Sequence, residues 1–307
     1  MGDISLRVAF GDTLLSLAKT NPLLYVVDIG LYPSLNLAGF KKRYPKRFIQ
    51  AGISEANAAA VAAGLAKTGK TVFLTSFACF SPALNWGVIR QSICYNQANV
   101  KIVGSHVGLG SGDLGATHQM LEDIALAKTL PHLQVFAPAD ALETKAILKV
   151  ISQSNLPSYL RLPRPSSPLV TKPSTVFTIG RSRLLLTGTQ LTIISYGPML
   201  SALNNLKYCS YDLINCSSLK PLDSNLILNS VAKTGRCLVI EDHQLLGGLG
   251  ETIACLLLEN GLSPRFKCLG VDNQFGRSSH ELGPLYDHYS LGPDSINTAI
   301  TNLISSS

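Results

Sequence analysis

The chain has 307 residues, 46% hydrophobic and 15% charged, with a formal net charge of +7. That length is too great for one small core and suits two domains, and no apolar run approaches the ~20 residues that cross a bilayer. The start MGDISLRVAFGD has neither the apolar segment of a secretory signal nor the pattern of a myristoylation signal.

Residues 5–20 read as a helix feeding a strand at Leu24–Asp28, with Asp28 at the strand's C-terminal end, where ligands sit in open α/β sheets. A loop, Gly30 to Asn36, precedes the basic run Lys41 to Arg47. That run lacks the interleaved aromatics of a nucleic-acid platform and reads as a solvated loop or a rim attracting anionic substrates. An extended run to Gly52 leads through Ser54 and Glu55 into a small-residue helix, Ala56 to Lys67, stopped at Gly69. The Ser54 hydroxyl is expected to cap this helix, and Glu55 falls in its first turn, where the helix dipole favours negative charge.

An apolar strand, Thr71–Thr75, runs toward Phe77 and Phe80. A helix over 82–97 and a strand over Val100–Ser105 follow, with His106 at the strand's end. The glycine-rich stretch Gly108 to Gln119 matches neither a phosphate loop nor a dinucleotide fingerprint. Its glycines suit sharp turns and a close backbone approach to a ligand. His118 is expected to begin a helix reaching Thr129; a strand at Gln134–Ala137, a helix to Ser152 and a strand at Ser158–Leu162 complete this half.

Pro163, Pro165, Pro168 and Pro173, set among serines and threonines, mark a linker over 166–185. Beyond it the alternation resumes, with strands at Leu191–Ser195, Tyr211–Asn215, Arg236–Ile240 and Arg265–Leu269 and helices near 198–206, 223–233, 247–259 and 293–304. The pattern predicts an α/β protein of two three-layer α/β/α domains with largely parallel sheets, the first over 1–165 and a smaller one over 186–307. Seven cysteines (Cys79, Cys94, Cys209, Cys216, Cys237, Cys255 and Cys268) include no C-x-x-C pair. They read as buried free thiols of a reducing cytoplasm, with no zinc-ligand spacing.

Glu55 has two readings from its residues alone: a surface carboxylate offsetting the helix dipole, or a working acid where a smooth helix admits a close neighbour. The run Gly52-Ile53-Ser54-Glu55-Ala56-Asn57 resembles the pyrimidine-binding domain of thiamine-diphosphate enzymes of the transketolase family. Gly115-Ala116-Thr117-His118-Gln119 matches that family's G-[AP]-T-H-Q run, and Ile240 to His243 with Gly247 to Gly250 is similar to the transketolase C-terminal domain. The resemblance covers nearly the whole chain.

It implies that Glu55 hydrogen-bonds the cofactor's aminopyrimidine as part of a general acid–base relay. It implies that Phe77 and Phe80 hold the pyrimidine, that Asp28 lies near the thiazolium and that His118 contacts substrate near the reacting carbon. Arg7, His106 and Arg164, with Ser34 as a further candidate, fall on positions that hold a substrate phosphate, for which arginine's planar fork is suited. Ala83 stands where a third aromatic often follows, so the ring slot is expected to be looser.

Two departures bear on function. Leu114 replaces the acidic residue that reads a substrate hydroxyl, with Asp113 one position earlier, which puts ordinary ketose–aldose exchange in question. No G-D-G with a distal Asn is present to hold metal and diphosphate. The resemblance therefore implies the C-terminal subunit of a split transketolase, with no metal site of its own. A partner subunit would carry Mg2+ and the diphosphate, in an assembly of two copies of each chain. The expected reaction is transfer of a two-carbon ketol unit from a ketose, phosphorylated by this reading, to an aldehyde. A decarboxylating carboligase using a 2-oxo acid, of the deoxyxylulose-phosphate-synthase type, is the alternative. The beta subunit of a 2-oxo-acid dehydrogenase ranks below both because its histidine motif differs. A homologue without activity is the non-enzyme reading.

Overall fold

The computed structural model describes residues 3–204, 206 and 210–305; Cys209 and the far end of the helix expected at 198–206 involve residues outside that set. The first half runs β1 (Ile4–Ser5), α1 (Leu6–Thr20), β2 (Leu24–Asp28), α2 (Ala38–Arg43), β3 (Phe48–Gln50), α3 (Glu55–Lys67) and β4 (Thr71–Phe77). It continues with α4 (Trp86–Val88), β5 (Val100–Val107), α5 (Asp123–Lys128), β6 (Gln134–Phe136), α6 (Ala141–Ile151) and β7 (Ser158–Pro163). Strands β2 to β7 are all parallel, in the order β6-β7-β5-β4-β2-β3. Every residue of β4, β5 and β7 is buried, as a parallel sheet covered by helices on both faces requires.

The second half runs β8 (Ser166–Ser167), β9 (Arg183–Leu186), β10 (Leu191–Ser195), α7 (Met199–Leu203), β11 (Tyr211–Asn215), β12 (Ser218–Lys220) and α8 (Ser224–Thr234). Then come β13 (Arg236–Gln244), α9 (Leu249–Glu259), β14 (Arg265–Val271), α10 (Leu282–His288) and α11 (Pro293–Ser305). Its sheet has the order β14-β13-β10-β11-β9, parallel except for the edge strand β9.

Several expectations are corrected. The stretch 166–185 is not a free linker: β8 pairs antiparallel with β1, and β9 lies in the second sheet. Strand β12 leaves the second half and extends the first sheet by pairing antiparallel with β6, so the two halves share a sheet edge. No single helix fills 82–97. Turns follow Phe77 and Ala78 to Leu84, because Asn85 Nδ2 donates to Glu55 O (3.0 Å) and Trp86 Nε1 to Leu126 O (2.9 Å), and a π-helix then runs over Ile89–Tyr95. His118 starts no helix, because Gly108 N bonds Met120 O and holds the chain beside β5 before α5 begins at Asp123.

The basic run is not a loop. It forms α2 and a 3-10 turn, and Arg47 donates to the carbonyls of Ala18 and Asn21 at the C-terminal end of α1. The thiols are not all buried: Cys255 is exposed and Cys79 and Cys268 are half-buried. Ser54 carries the expected position but not the expected bond, since its side chain makes no capping contact. Ser54→Ala is therefore expected to shift stability by less than about 0.5 kcal/mol, against the ~1 kcal/mol of a working cap. A denaturant melt showing a full cap's loss would contradict the geometry.

Candidate active site

Four adjacent strands, β7, β5, β4 and β2, bring Arg164, His106, Phe77 and Asp28 to one edge of the first sheet. This is the edge outside the strands' carboxyl ends where open α/β sheets hold ligands. Phe77 ends β4, and a turn closed by Phe80 N donating to Phe77 O (3.0 Å) swings Phe80 beside it. The two rings lie 6.1 Å apart and within 11° of parallel. His118 meets both edge-on, at 5.5 Å from Phe80 and 6.3 Å from Phe77. Its Nδ1 lies 2.9 Å from the Thr117 hydroxyl. Ala83 packs with Ala78, Val107 and Met120 and contributes no third ring.

Glu55 opens α3 beside the aromatic turn. Its charge reaches the Cys79 thiol, whose pKa burial chiefly, with Glu55 adding, pushes up to about 11. Its backbone carbonyl accepts from Asn85, while its carboxylate makes no hydrogen bond or ion pair with the described residues. Asp28 is the opposite case. It is fully buried, with Thr75 Oγ1 donating to Oδ1 (2.9 Å) and Gly30 N to Oδ2 (2.8 Å), and burial raises its pKa. Its Oδ1 thus ties β2 to β4, and its Oδ2 holds the loop that follows β2.

His106 stacks on Phe77, centroids 3.7 Å apart. Its backbone lies in the left-handed region (φ 59°), held by the Ser111 hydroxyl donating to His106 O at 2.6 Å. Burial, and then the charges of Arg7, Arg164 and His118, push its pKa down to about 3. Both effects disfavour the charged ring, and with Nδ1 3.1 Å from Ser105 Oγ, Nε2 is the nitrogen left to bond a substrate oxygen.

The cations beyond it are the arginines. Arg7 donates Nη1 to Ser34 O (2.7 Å) and Nη2 to Arg164 O (2.9 Å), and its Nε is buried without a partner. Ser34 thus meets Arg7 through its carbonyl. Burial and the neighbouring Arg164 lower the Arg7 pKa. Arg164 bonds Ser111 O and forms an ion pair with Asp113. These groups line a pocket of about 240 Å3 whose far wall brings His280 and Ser279 from the second half.

Sequence reading missed His280, because no motif surrounds it. It is carried in by Gln119 Nε2 donating to Arg277 O (3.0 Å) and Ser279 N donating to Gly112 O (3.3 Å). Asp242, half-buried in β13, accepts from Leu109 N at 2.9 Å, and Gly108 must be glycine because a Cβ there would overlap the Asp242 carboxylate. Leu114, half-exposed beside Asp113, offers no hydrogen bond.

The arrangement runs from an uncommitted carboxylate, past two parallel rings and two imidazoles, to two guanidinium groups. It fits a flat heteroaromatic ring beside Glu55 and an anion at the far end. Among the described residues, no three His, Cys, Asp or Glu side chains gather for a metal ion, and no helix is long and apolar enough to cross a membrane.

Comparison with known proteins gives the chain's family. The family model for the transketolase pyrimidine-binding domain matches residues 2–168, and that for the transketolase C-terminal domain matches residues 180–296. A putative transketolase C-terminal section from Methanocaldococcus jannaschii is 36% identical over 299 residues, covering 95% of this chain and 93% of that one. One of the subunits of the apulose-4-phosphate transketolase of Phocaeicola vulgatus is 34% identical, covering 95% of each chain. A solved structure of a split-gene transketolase, an inactive beta4 tetramer, superposes with a TM-score of 0.86 at 35% identity and covers 99% of both chains.

Proposed function

This chain belongs to the transketolase family, and from that premise we propose that it is the C-terminal subunit of a split transketolase that moves a two-carbon ketol unit between phosphorylated sugars. The observation that carries this reading is the line from Glu55 through Phe77, Phe80, His118 and His106 to Arg7 and Arg164. The family is thiamine diphosphate dependent. Thiamine diphosphate, when bound, supplies the nucleophilic carbon that breaks and re-forms the carbon–carbon bond. Phe77 and Phe80 would hold its pyrimidine, and Glu55 would hold and return a proton at the pyrimidine ring nitrogen.

His118 faces the reacting end of the substrate. His106 orients a substrate oxygen. Arg7 and Arg164 bind the distal phosphate, which competes with Asp113 for Arg164. Leu114 leaves one substrate hydroxyl without a protein partner. A partner subunit supplies Mg2+ and the diphosphate site, with two copies of each chain in the assembly. The Phocaeicola vulgatus relative, itself one subunit of its enzyme, supports the partner, and its name supports a phosphorylated substrate for that protein. A cytoplasmic setting suits the free thiols.

Arg164→Ala, assembled with the diphosphate-binding subunit, tests the substrate end. It is expected to raise KM for a ketose phosphate by about 10–100-fold with kcat little changed, and to leave an unphosphorylated ketose unaffected. Equal losses for both donors would remove the phosphate role. Carbon dioxide release from a 2-oxo acid, without transfer from ketose phosphates, would instead identify the carboligase. Turnover by the chain alone would remove the partner.

A further inference from the structure

A second cavity, of about 280 Å3, lies between the halves, walled by Pro165, Ser167, Arg161, Tyr196, Met199 and Tyr286 among others. In the second sheet β10 has β11 on one side and β13 on the other, so the chain reverses direction across the sheet between β10 and β13. The cavity sits outside the carboxyl ends of those two strands, at Tyr196 and Asp242. That crevice is the ligand position of doubly wound sheets. The cavity adjoins the arginine pocket, with Pro165 and Leu282 in the walls of both, but none of the residues given a role in the chemistry above lines it.

Two residues of its wall carry polar groups that are not fully bonded. Arg161 is 4% exposed; its Nε is spent on Asp123 and its Nη2 on Asp242 O, while Nη1 makes no hydrogen bond with the described residues. Ser167 is 2% exposed, and its hydroxyl has no partner. A buried polar group is seldom left unpaired, so the Ser167 hydroxyl calls for an occupant or a reason, and Arg161, which lines the same cavity, has an N–H to offer that occupant.

The charge of the wall narrows the occupant. Arg161 is already matched by the Asp123 carboxylate, and the Asp242 carboxylate, which accepts from Leu109 N and Tyr286 OH, stands beside it. No positive charge is left over, so Nη1 favours a neutral carbonyl oxygen over a carboxylate. The remaining surface is apolar and flat: prolines, Met199 and the Tyr196 ring, over which the Arg161 guanidinium lies at 5.6 Å. The space equals roughly nine liquid-water volumes, enough for one substituted or fused ring.

We propose that this interdomain cavity binds a small, neutral, ring-shaped compound bearing a carbonyl group, an amide or a cyclic amide, whose oxygen accepts from Arg161 Nη1 and whose polar edge meets the Ser167 hydroxyl.

The test is a ligand-observed NMR titration of the full chain with benzamide, and with benzoate as its charged counterpart. Benzamide is expected to bind at about millimolar affinity, as fragments of its size do, and benzoate about tenfold more weakly. Ser167→Ala, which removes an unpaired hydroxyl and keeps the fold, is expected to weaken benzamide about fivefold. Met199→Trp, which fills the space, is expected to abolish binding. No binding to the wild-type chain, benzoate bound as tightly as benzamide, or a benzamide affinity indifferent to Ser167→Ala would each overturn the proposal. Ser167→Ala decides the matter should Met199→Trp fail to fold.

Discussion

Glu55→Gln, assembled with a diphosphate-binding subunit, is expected to lower kcat by about 10²–10⁴-fold, the range general acid–base groups contribute. Glutamine keeps the size of the side chain and its capacity for one hydrogen bond, but it cannot hold and return a proton. The prediction is sharp because the Glu55 carboxylate has no structural duty: it makes no bond with the described residues, and the local fold is held by its backbone through Asn85. The fold and the thermal midpoint should therefore be preserved. Single-turnover and steady-state kinetics on the assembled enzyme, with a melting curve as control, separate chemistry from stability. Activity undiminished by Glu55→Gln would remove the mechanism, whereas loss of folding would show that Glu55 is structural after all.

The second large effect concerns how the halves are joined. Arg161 on β7 donates to Asp123 and to the backbone carbonyl of Asp242 on β13, and Tyr159 OH donates to Asp123 Oδ2 at 2.7 Å. The Asp123 and Arg161 side chains are 0% and 5% exposed. Burial opposes the Arg161 charge, yet Asp123 and the other acidic neighbours together raise its pKa above the usual arginine value. Asp123→Ala would leave a buried guanidinium without its ion-paired carboxylate, with Asp242 as a more remote charge, and is expected to cost about 3–5 kcal/mol. Replacing the pair together, with Arg161→Met and Asp123→Leu, is expected to recover most of that loss, because the single substitution's cost comes from the orphaned charge rather than from the pair's net attraction. Denaturant unfolding of both variants decides it. A loss below about 1 kcal/mol for Asp123→Ala would mean that solvent reaches the site and the network does not hold the halves.

Local chemistry made part of this protein readable directly. The alternation of apolar runs with amphipathic stretches marked the parallel strands of both sheets to within a few residues, because burial on both faces of a parallel sheet leaves continuous apolar runs. The Gly52 to Asn57 run and the Gly115 to Gln119 run are contiguous motifs, and so Glu55 and His118 could be named before their neighbours were known. The misreadings share one cause. Ser54 has a capping residue's chemistry but not its bond, since φ −152° and ψ 75° turn the side chain away from the helix's free N–H groups. Residues 82–97 carry helical composition, but Asn85 and Trp86 are tied to Glu55 and Leu126, thirty and forty positions away.

By itself the sequence determined the two α/β halves and the family, because each of these is written in runs shorter than a single strand–helix unit. Tertiary structure alone decided that β12 crosses back to β6, that Asp242 holds the glycine-rich loop from 133 residues away, that His280 reaches the arginine pocket and that burial and nearby cations lower the His106 pKa. Those outcomes depend on burial and on contacts between distant segments. Desolvation and long-range pairing are properties of the packed chain, so no local pattern of residues encodes them.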